Sequence, residues 1–518
     1  MTVAPPRTPS PRTRSGPHLG LIMISLILAL VPLQLDGLVA ATAAPTIAGE
    51  LGGFGQIAWI ATTYLLTMAV GTITAGRIGD MFGRKTTLLT ALLIFLAGSA
   101  AAGLAGSMAW LITARAIQGL GGGMVLTTLM AVIADVAPPD KRSRYQSVMG
   151  AVAPISMIIG PWIGGLVTEH LGWRWIFLLN LPLVTIAVIG VAILLKLPSR
   201  RTGGRVDIGG LTALSIASTA IVLAMTWGGH QYAWDSPQVI GAAVVGLLAL
   251  LALLIIERRT AHPVMPPQLF GNRAVLVSMV IMFLSTGAIM MAAMNYLPIF
   301  LQLVQGQSAS NSGLLLLPML LSAIAVSMIT GLFTTQPGRF RPALIIGTSV
   351  LAVACGLLAT MDTGTSSWLT GAYMALVGVG LGMLFQTPLV LIQNASPAGE
   401  VGAATGSAMF LRTIGGSIGV GALGSLFTGT LAGHLTDHGA AAGRTDPAAL
   451  TPAQVHGLPD QLQQLIAQAT AAGTSAMFWA ACAAAVVAVV AALLVPRLVG
   501  GHQQRADEKL IKVEADQG

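Results

Sequence analysis

The feature that constrains this chain most is the repetition of apolar runs long enough to cross a lipid bilayer. A helix needs about 20 apolar residues to traverse the hydrocarbon core. Fourteen stretches qualify: 20–43, 55–75, 86–105, 108–134, 145–168, 175–196, 207–227, 237–256, 274–302, 310–333, 342–361, 367–392, 401–430 and 473–496. Only lipid-facing helices or closed barrels satisfy their backbone polar groups without water, and runs of this length predict helices. Composition agrees. Of 518 residues, 8% are charged and 54% hydrophobic, whereas soluble domains carry about 25% charged residues to cover a wet surface. The expected class is an all-α polytopic membrane protein.

Lys and Arg orient it. Of 26 such residues, 22 fall in alternate loops and in the two tails, from Arg7, Arg12 and Arg14 to Arg497, Arg505, Lys509 and Lys512. Arg174 and Arg444 fall on the other side, and Arg115 and Arg412 lie within spans. The positive-inside rule then predicts fourteen crossings of a cell inner (plasma) membrane with both termini cytoplasmic. The net charge of +8 is accounted for by this topology. Nucleic-acid binding is not expected, because the basic residues are scattered over short loops. Cys355 and Cys482 both lie in apolar stretches, so no disulfide framework or metal site is indicated.

A short internal repeat suggests the domain plan. Gly76 is followed after six residues by Gly83-Arg84, and Gly331 after six residues by Gly338-Arg339. Eight spans separate the two copies, which points to two six-helix bundles with two linking helices between them. The expected organisation is an N-terminal tail (1–18), a first bundle (19–200), a linking pair (201–260), a second bundle (261–497) with an outer segment at 431–472, and a C-terminal tail (498–518).

Asp36 is the one acid of 18 placed well inside a span. A charge at that depth is expensive, so it marks a functional site with a partner to be found. Arg115, deep in the fourth span beside Gln118 and Gly119, is the leading partner, and Arg412 in the thirteenth span the other candidate. A purely packing ion pair remains the competing reading. The stretch Gly76 to Lys85 reads as a loop with three glycines, Asp80 and three bases, either a latch or an ordinary positive anchor. It lacks the Gly-Lys step and spacing of a phosphate loop, so energy is expected from an ion or substrate gradient. Span five carries Gly160-Pro161-Trp162-Ile163-Gly164-Gly165, where small residues allow close helix approach and proline bends the helix.

Together these motifs resemble those of the major facilitator superfamily, and most nearly its fourteen-span drug:proton antiporters. The resemblance runs through Leu35-Asp36 to Ala48, Gly76 to Lys85, Arg115 with Gln118-Gly119, and Gly160 to Gly165. It implies two bundles rocking about a central cavity, and assigns proton coupling to Asp36 and Arg115. It further assigns gating to Gly76, Asp80, Gly83 and Arg84, and an antiporter hinge to Gly160, Pro161, Gly164 and Gly165. No second carboxylate is available inside spans ten or thirteen, since Glu400 precedes the latter.

Candidate substrate-cavity residues are Trp59, Tyr64, Met290, Met294, Asn295, Tyr296, Phe300, Phe385, Gln386, Phe410 and Arg412, because methionine and aromatics make adaptable apolar walls. Each of them taken singly also suits plain helix packing. Outside the last span, Leu458, Leu462, Leu465, Ile466 and Ala469 follow a helical period after Thr451-Pro452, which predicts a separate amphipathic helix, either over the outer mouth of the cavity or on the membrane surface. No metal-ligand spacing and no nucleophile–base set is present, so neither an enzyme nor a cofactor is expected. The expected function is proton-coupled export of an amphipathic drug or natural product by a monomer. Export of a lipid or a single metabolite, or uptake by symport, are the alternatives.

Overall fold

The computed structural model describes residues 17–51, 57–138, 141–197, 207–228, 232–260, 263–307, 314–334, 338–397, 399–437, 455 and 458–496. The tails from 1 to 16 and 498 to 518, and Thr451-Pro452, lie outside them. Helices account for the architecture. The first half holds α1 (Pro17–Leu51), α2 (Ile57–Phe82), α3 (Arg84–Gly103), α4 (Met108–Val136), α5 (Arg142–His170), α6 (Arg174–Leu178) and α7 (Asn180–Leu194). A linking pair follows, α8 (Ile208–Trp227) and α9 (Pro237–Arg259). The second half holds α10 (Pro267–Gly271), α11 (Arg273–Met282), a π-helical stretch (Phe283–Ile289), α12 (Met290–Leu303), α13 (Leu317–Phe333) and α14 (Phe340–Ala359). It closes with α15 (Ser367–Leu384), α16 (Thr387–Ala395), α17 (Val401–Asp437) and α18 (Asp460–Leu493).

Among the described residues, 11 helical segments are long and apolar enough to cross a membrane, and Gly209–Met225 and Leu317–Phe333 are shorter apolar helices. Their starts follow local chemistry. Ser107 accepts the Trp110 N–H, Asp207 the Gly210 N–H, and Ser236 the Val239 N–H, each satisfying an N–H that the first helical turn leaves free. Pro237 at the opening of α9 loses nothing by lacking its own N–H.

Three sequence expectations need adjustment. The stretch read as a loop from Gly76 is helical to Phe82, and only Gly83, at φ 97°, makes the turn before α3 begins at Arg84. Its counterpart Gly338 turns at φ 89° before α14, so the short sequence repeat marks a repeated backbone turn that glycine permits. The expected separate amphipathic helix is instead the first part of α18, which runs unbroken to Leu493. Its Ile466 and Ala469 are buried in the core of the second half, with Leu458 and Leu465 packed against that core. Finally, the twelfth run bends between α15 and α16, where Pro388 opens the second segment.

The core of the second half gathers α11, α12 and the helices from α13 to α18, with Phe300, Leu351 and Cys355 fully buried. The first half packs around Leu26, Leu88 and Leu129, and that cluster continues into Leu389, Ile392, Ala404 and Ala408 of the second half. The linking pair lies against α2 and α17, where Ala213, Leu214 and Val222 meet Ile73, Phe410 and Ile414.

Candidate functional site

Asp36 and Arg115 meet inside the first half, with exposures of 2% and 1%. The Arg115 Nη1 pairs with Asp36 Oδ2. Two neutral amides complete the carboxylate: Gln118 Nε2 donates to Oδ1 at 2.8 Å and Asn180 Nδ2 at 3.1 Å. Ser99 Oγ accepts from the same two amides, at 3.1 and 3.0 Å, and donates to the Phe177 carbonyl at 2.9 Å. Arg115 also donates to Gln118 Oε1 at 2.7 Å and to the Ile60 carbonyl at 3.3 Å, and its guanidinium lies 4.1 Å from the centre of the Tyr64 ring.

The network therefore ties α1, α2, α3, α4, α6 and α7 to one charge pair. Among the described residues, each hydrogen-bond partner of the two carboxylate oxygens is a donor, which suits the ionised form. An uncompensated charge in this place would be strongly destabilising. The sequence pointed to Asp36, Arg115 and Gln118. It did not single out Ser99 or Asn180 as members, although each is a polar residue stranded in an apolar run.

A second polar cluster joins the halves. Asp80, near the end of α2, accepts the Gly402 N–H at 3.1 Å and the Ala403 N–H at 2.8 Å, capping the start of α17. A carboxylate at a helix N-terminus is favoured by both the free N–H groups and the helix dipole. Arg84 holds Asp80 at 3.2 Å and reaches the Ala131 carbonyl at 2.6 Å and Asp135 at 2.7 Å. The backbones touch here: a Cβ on Gly76 would fall 2.4 Å from the Gly402 carbonyl oxygen. The equivalent glycine of the repeat, Gly331, approaches α5, where a Cβ would fall 2.3 Å from Ser147 Oγ.

Around these crossings lie further contacts between halves. Gln146 Nε2 donates to Gln393 Oε1 at 2.6 Å, Arg142 to Asn394 Oδ1 at 2.7 Å, and the Ser143 and Thr334 hydroxyls are bonded. All of these stand at the end of the molecule that carries Gly83 and Lys141. Hydrogen bonds bridge the halves at that end.

At the far end of the first half, Glu50 binds the Trp173 Nε1–H at 2.6 Å and pairs with Arg174. The Arg174 guanidinium and the Trp173 N–H hold the Glu50 carboxyl below the usual carboxylate range.

The remaining predicted residues separate into groups. Gly160 and Gly164 are buried in α5, and Pro161 and Gly165 belong to the same unbroken helix. Trp59 is 40% exposed in the first turn of α2, and Tyr64 lies under Arg115. Met290 and Met294 pack against the core of the second half, which contains Tyr296 and Phe300; Asn295 is exposed and bonded to the Met291 carbonyl. Phe410 faces the linking pair. Phe385 and Arg412 are brought together where α15 bends into α16, with the Arg412 guanidinium 5.2 Å from the Phe385 ring centre, while the adjacent Gln386 faces Gly150 of α5.

Comparison with known proteins agrees with the geometry. The chain matches the Major Facilitator Superfamily over residues 24–420. It is 36% identical over 420 residues to the multidrug transporter protein MdtP of Bacillus subtilis, covering 80% of this chain and 77% of that one. It is 32% identical over 445 residues to multidrug resistance protein 3 of the same organism, covering 86% of each. The solved structure of the proton:xylose symporter XylE superposes with a TM-score of 0.59 at 15% identity, covering 92% of this chain and 96% of that one, a likeness of fold. Two helical halves joined by hydrogen bonds at one end, a buried charge pair and a match across most of the sequence lead to one assignment: the chain belongs to the Major Facilitator Superfamily and is a multi-pass membrane transporter.

Proposed function

We propose that this transporter is a proton-coupled antiporter that exports amphipathic drugs or natural products across the bacterial cytoplasmic membrane by alternating access. The carrying observation is the carboxylate of Asp36, whose oxygens, among the described residues, accept from Arg115, Gln118 and Asn180 and meet no acceptor. A proton placed on it introduces an O–H among donors and leaves Arg115 uncompensated, so proton uptake must rearrange the network that ties six helices together. Release of the proton restores it. That is a two-state element which a proton and a cargo can both bias.

Fourteen crossings follow if α5 and the two shorter apolar helices also span. The distribution of Lys and Arg then predicts both termini and the bridged end in the cytoplasm, and on this reading the described arrangement faces outward. The multidrug names of the relatives MdtP and multidrug resistance protein 3 support efflux as the direction. Direction-resolved transport in inverted vesicles tests the proposal. An imposed proton gradient is expected to drive a lipophilic dye into the lumen with the wild-type chain and not with Asp36→Asn. Equal, gradient-driven accumulation with both proteins overturns it.

A further inference from the structure

Two arginines of the transmembrane helices, buried Arg115 and half-buried Arg412, are treated differently. Arg115 has a carboxylate, an amide oxygen and a backbone carbonyl. Arg412 has none of these. Among the described residues no hydrogen bond or ion pair reaches its guanidinium, which belongs to a half-buried side chain and lies over the Phe385 ring. A charge within a membrane helix that has no internal counter-ion marks a ligand or ion pathway.

Its surroundings fit a ligand site better than a structural one. Residues on either side of Arg412 are committed to packing: Phe410 and Ile414 against α2 and the linking pair, Gly415 and Gly419 against the π-helical stretch. The bend that carries Phe385 also carries Gln386, 3% exposed, whose Oε1 is buried without a partner. The Gln386 amide reaches across to the first half, lying 2.6 Å from where a Cβ on Gly150 of α5 would sit. A free guanidinium thus lies over an aromatic face, and the next residue in the chain carries an unsatisfied amide oxygen at the seam with the first half.

We infer that Arg412 is the anion subsite of the cargo, which carries a sulfonate, carboxylate or phosphate on an aromatic or apolar frame. The guanidinium takes the acidic group by charge-assisted hydrogen bonds, and the Phe385 ring takes the frame beside it. This rests on the export reading, because it names the class of cargo. An anionic amphiphile from solution and an anionic lipid offer the same chemistry.

The test is equilibrium binding without any gradient, to purified full-length protein in phosphatidylcholine nanodiscs. The probes are anilinonaphthalene sulfonate and its sulfonate-free parent, phenylnaphthylamine. Arg412→Gln is expected to weaken saturable binding of the sulfonate about tenfold or more while the parent binds within about twofold of wild type, the loss of one charge-assisted bond. Arg412→Lys, which keeps the charge, recovers part of the affinity. An unchanged sulfonate affinity, equal losses for both probes, or no saturable sulfonate binding to wild type overturns the proposal. Adding phosphatidylglycerol to the discs separates the sources: competition that requires Arg412 identifies an anionic lipid, and its absence a soluble amphiphile. Because no gradient is used, failure here leaves gradient-driven export standing, and failure of proton coupling leaves this binding result intact.

Discussion

Asp80 of the first half caps the first turn of a helix of the second, its Oδ2 accepting the Ala403 N–H at 2.8 Å. The bond joins units that must separate at this end for a cargo site between them to open here. A carboxylate cap of this kind contributes about 0.5–2 kcal/mol, enough to shift a two-state population roughly 2- to 30-fold.

Asp80→Asn is therefore expected to favour the state open at this end. Gly402→Ala is expected to do so more strongly, because its Cβ would fall 2.4 Å from Asp80 Oδ1 and 2.5 Å from the Gly76 carbonyl oxygen. The readout is cross-linking of Ser143→Cys with Thr334→Cys, whose hydroxyls are bonded across the seam, in a background lacking Cys355 and Cys482. Cross-linking should fall in both variants. Yields equal to the parent would show that the cap does not hold this end shut.

How much of this was legible in the sequence depends on the kind of group involved. Asp36 and Arg115 could be paired by charge accounting, since a lone acid in lipid needs a cation. Ser99 and Asn180 could have been found by asking which polar residues satisfy the remaining carboxylate lone pairs. The partners of Asp80 could not, because they are the backbone N–H groups of Gly402 and Ala403, which leave no side-chain signature. Glycine misled twice. Gly76 reads as a loop and Gly473 as a boundary, yet both lie inside helices and permit close packing. A Cβ on Gly473 would fall 2.7 Å from the Phe427 carbonyl oxygen.

Asn180 gives a test of the network away from its charges. Its amide bridges Asp36 Oδ1 and Ser99 Oγ, and a bond to a charged group is worth about 1.5–3 kcal/mol. Asn180→Leu should lower gradient-driven transport about tenfold or more by that measure while membrane insertion is retained. A variant with wild-type rates would place Asn180 outside the working network.

Glu50 supplies a pH dependence whose sign can be worked out. Its carboxyl is held low by Arg174 and Trp173, so the folded state binds a proton less readily than the unfolded chain. The link between the end of α1 and the start of α6 is then complete at neutral pH, and is lost as pH falls through the lowered folded value. Trp173 is 1% exposed and donates to Glu50, so its fluorescence should report the change. The wild-type minus Glu50→Gln difference should titrate below the ordinary glutamate value of about 4.3. A midpoint at or above that value contradicts the assignment.

The charge pair itself is best examined as a cycle. Asp36→Asn leaves Arg115 buried without its anion, and breaking a buried pair from one side costs about 3–5 kcal/mol. Arg115→Gln leaves the carboxylate with only the Gln118 and Asn180 amides. The double variant removes both charges and keeps hydrogen-bonding side chains, so much of the loss should return, with a coupling of about 0.5–3 kcal/mol between the two sites. Thermal unfolding of the four proteins in one detergent measures that coupling. Gradient-driven transport should be absent from all three variants, because restoring stability does not restore an ionisable carboxyl. Additive losses would mean that the two residues do not stabilise each other, and a double variant that is both stable and proton-driven would move the coupling site elsewhere in the chain.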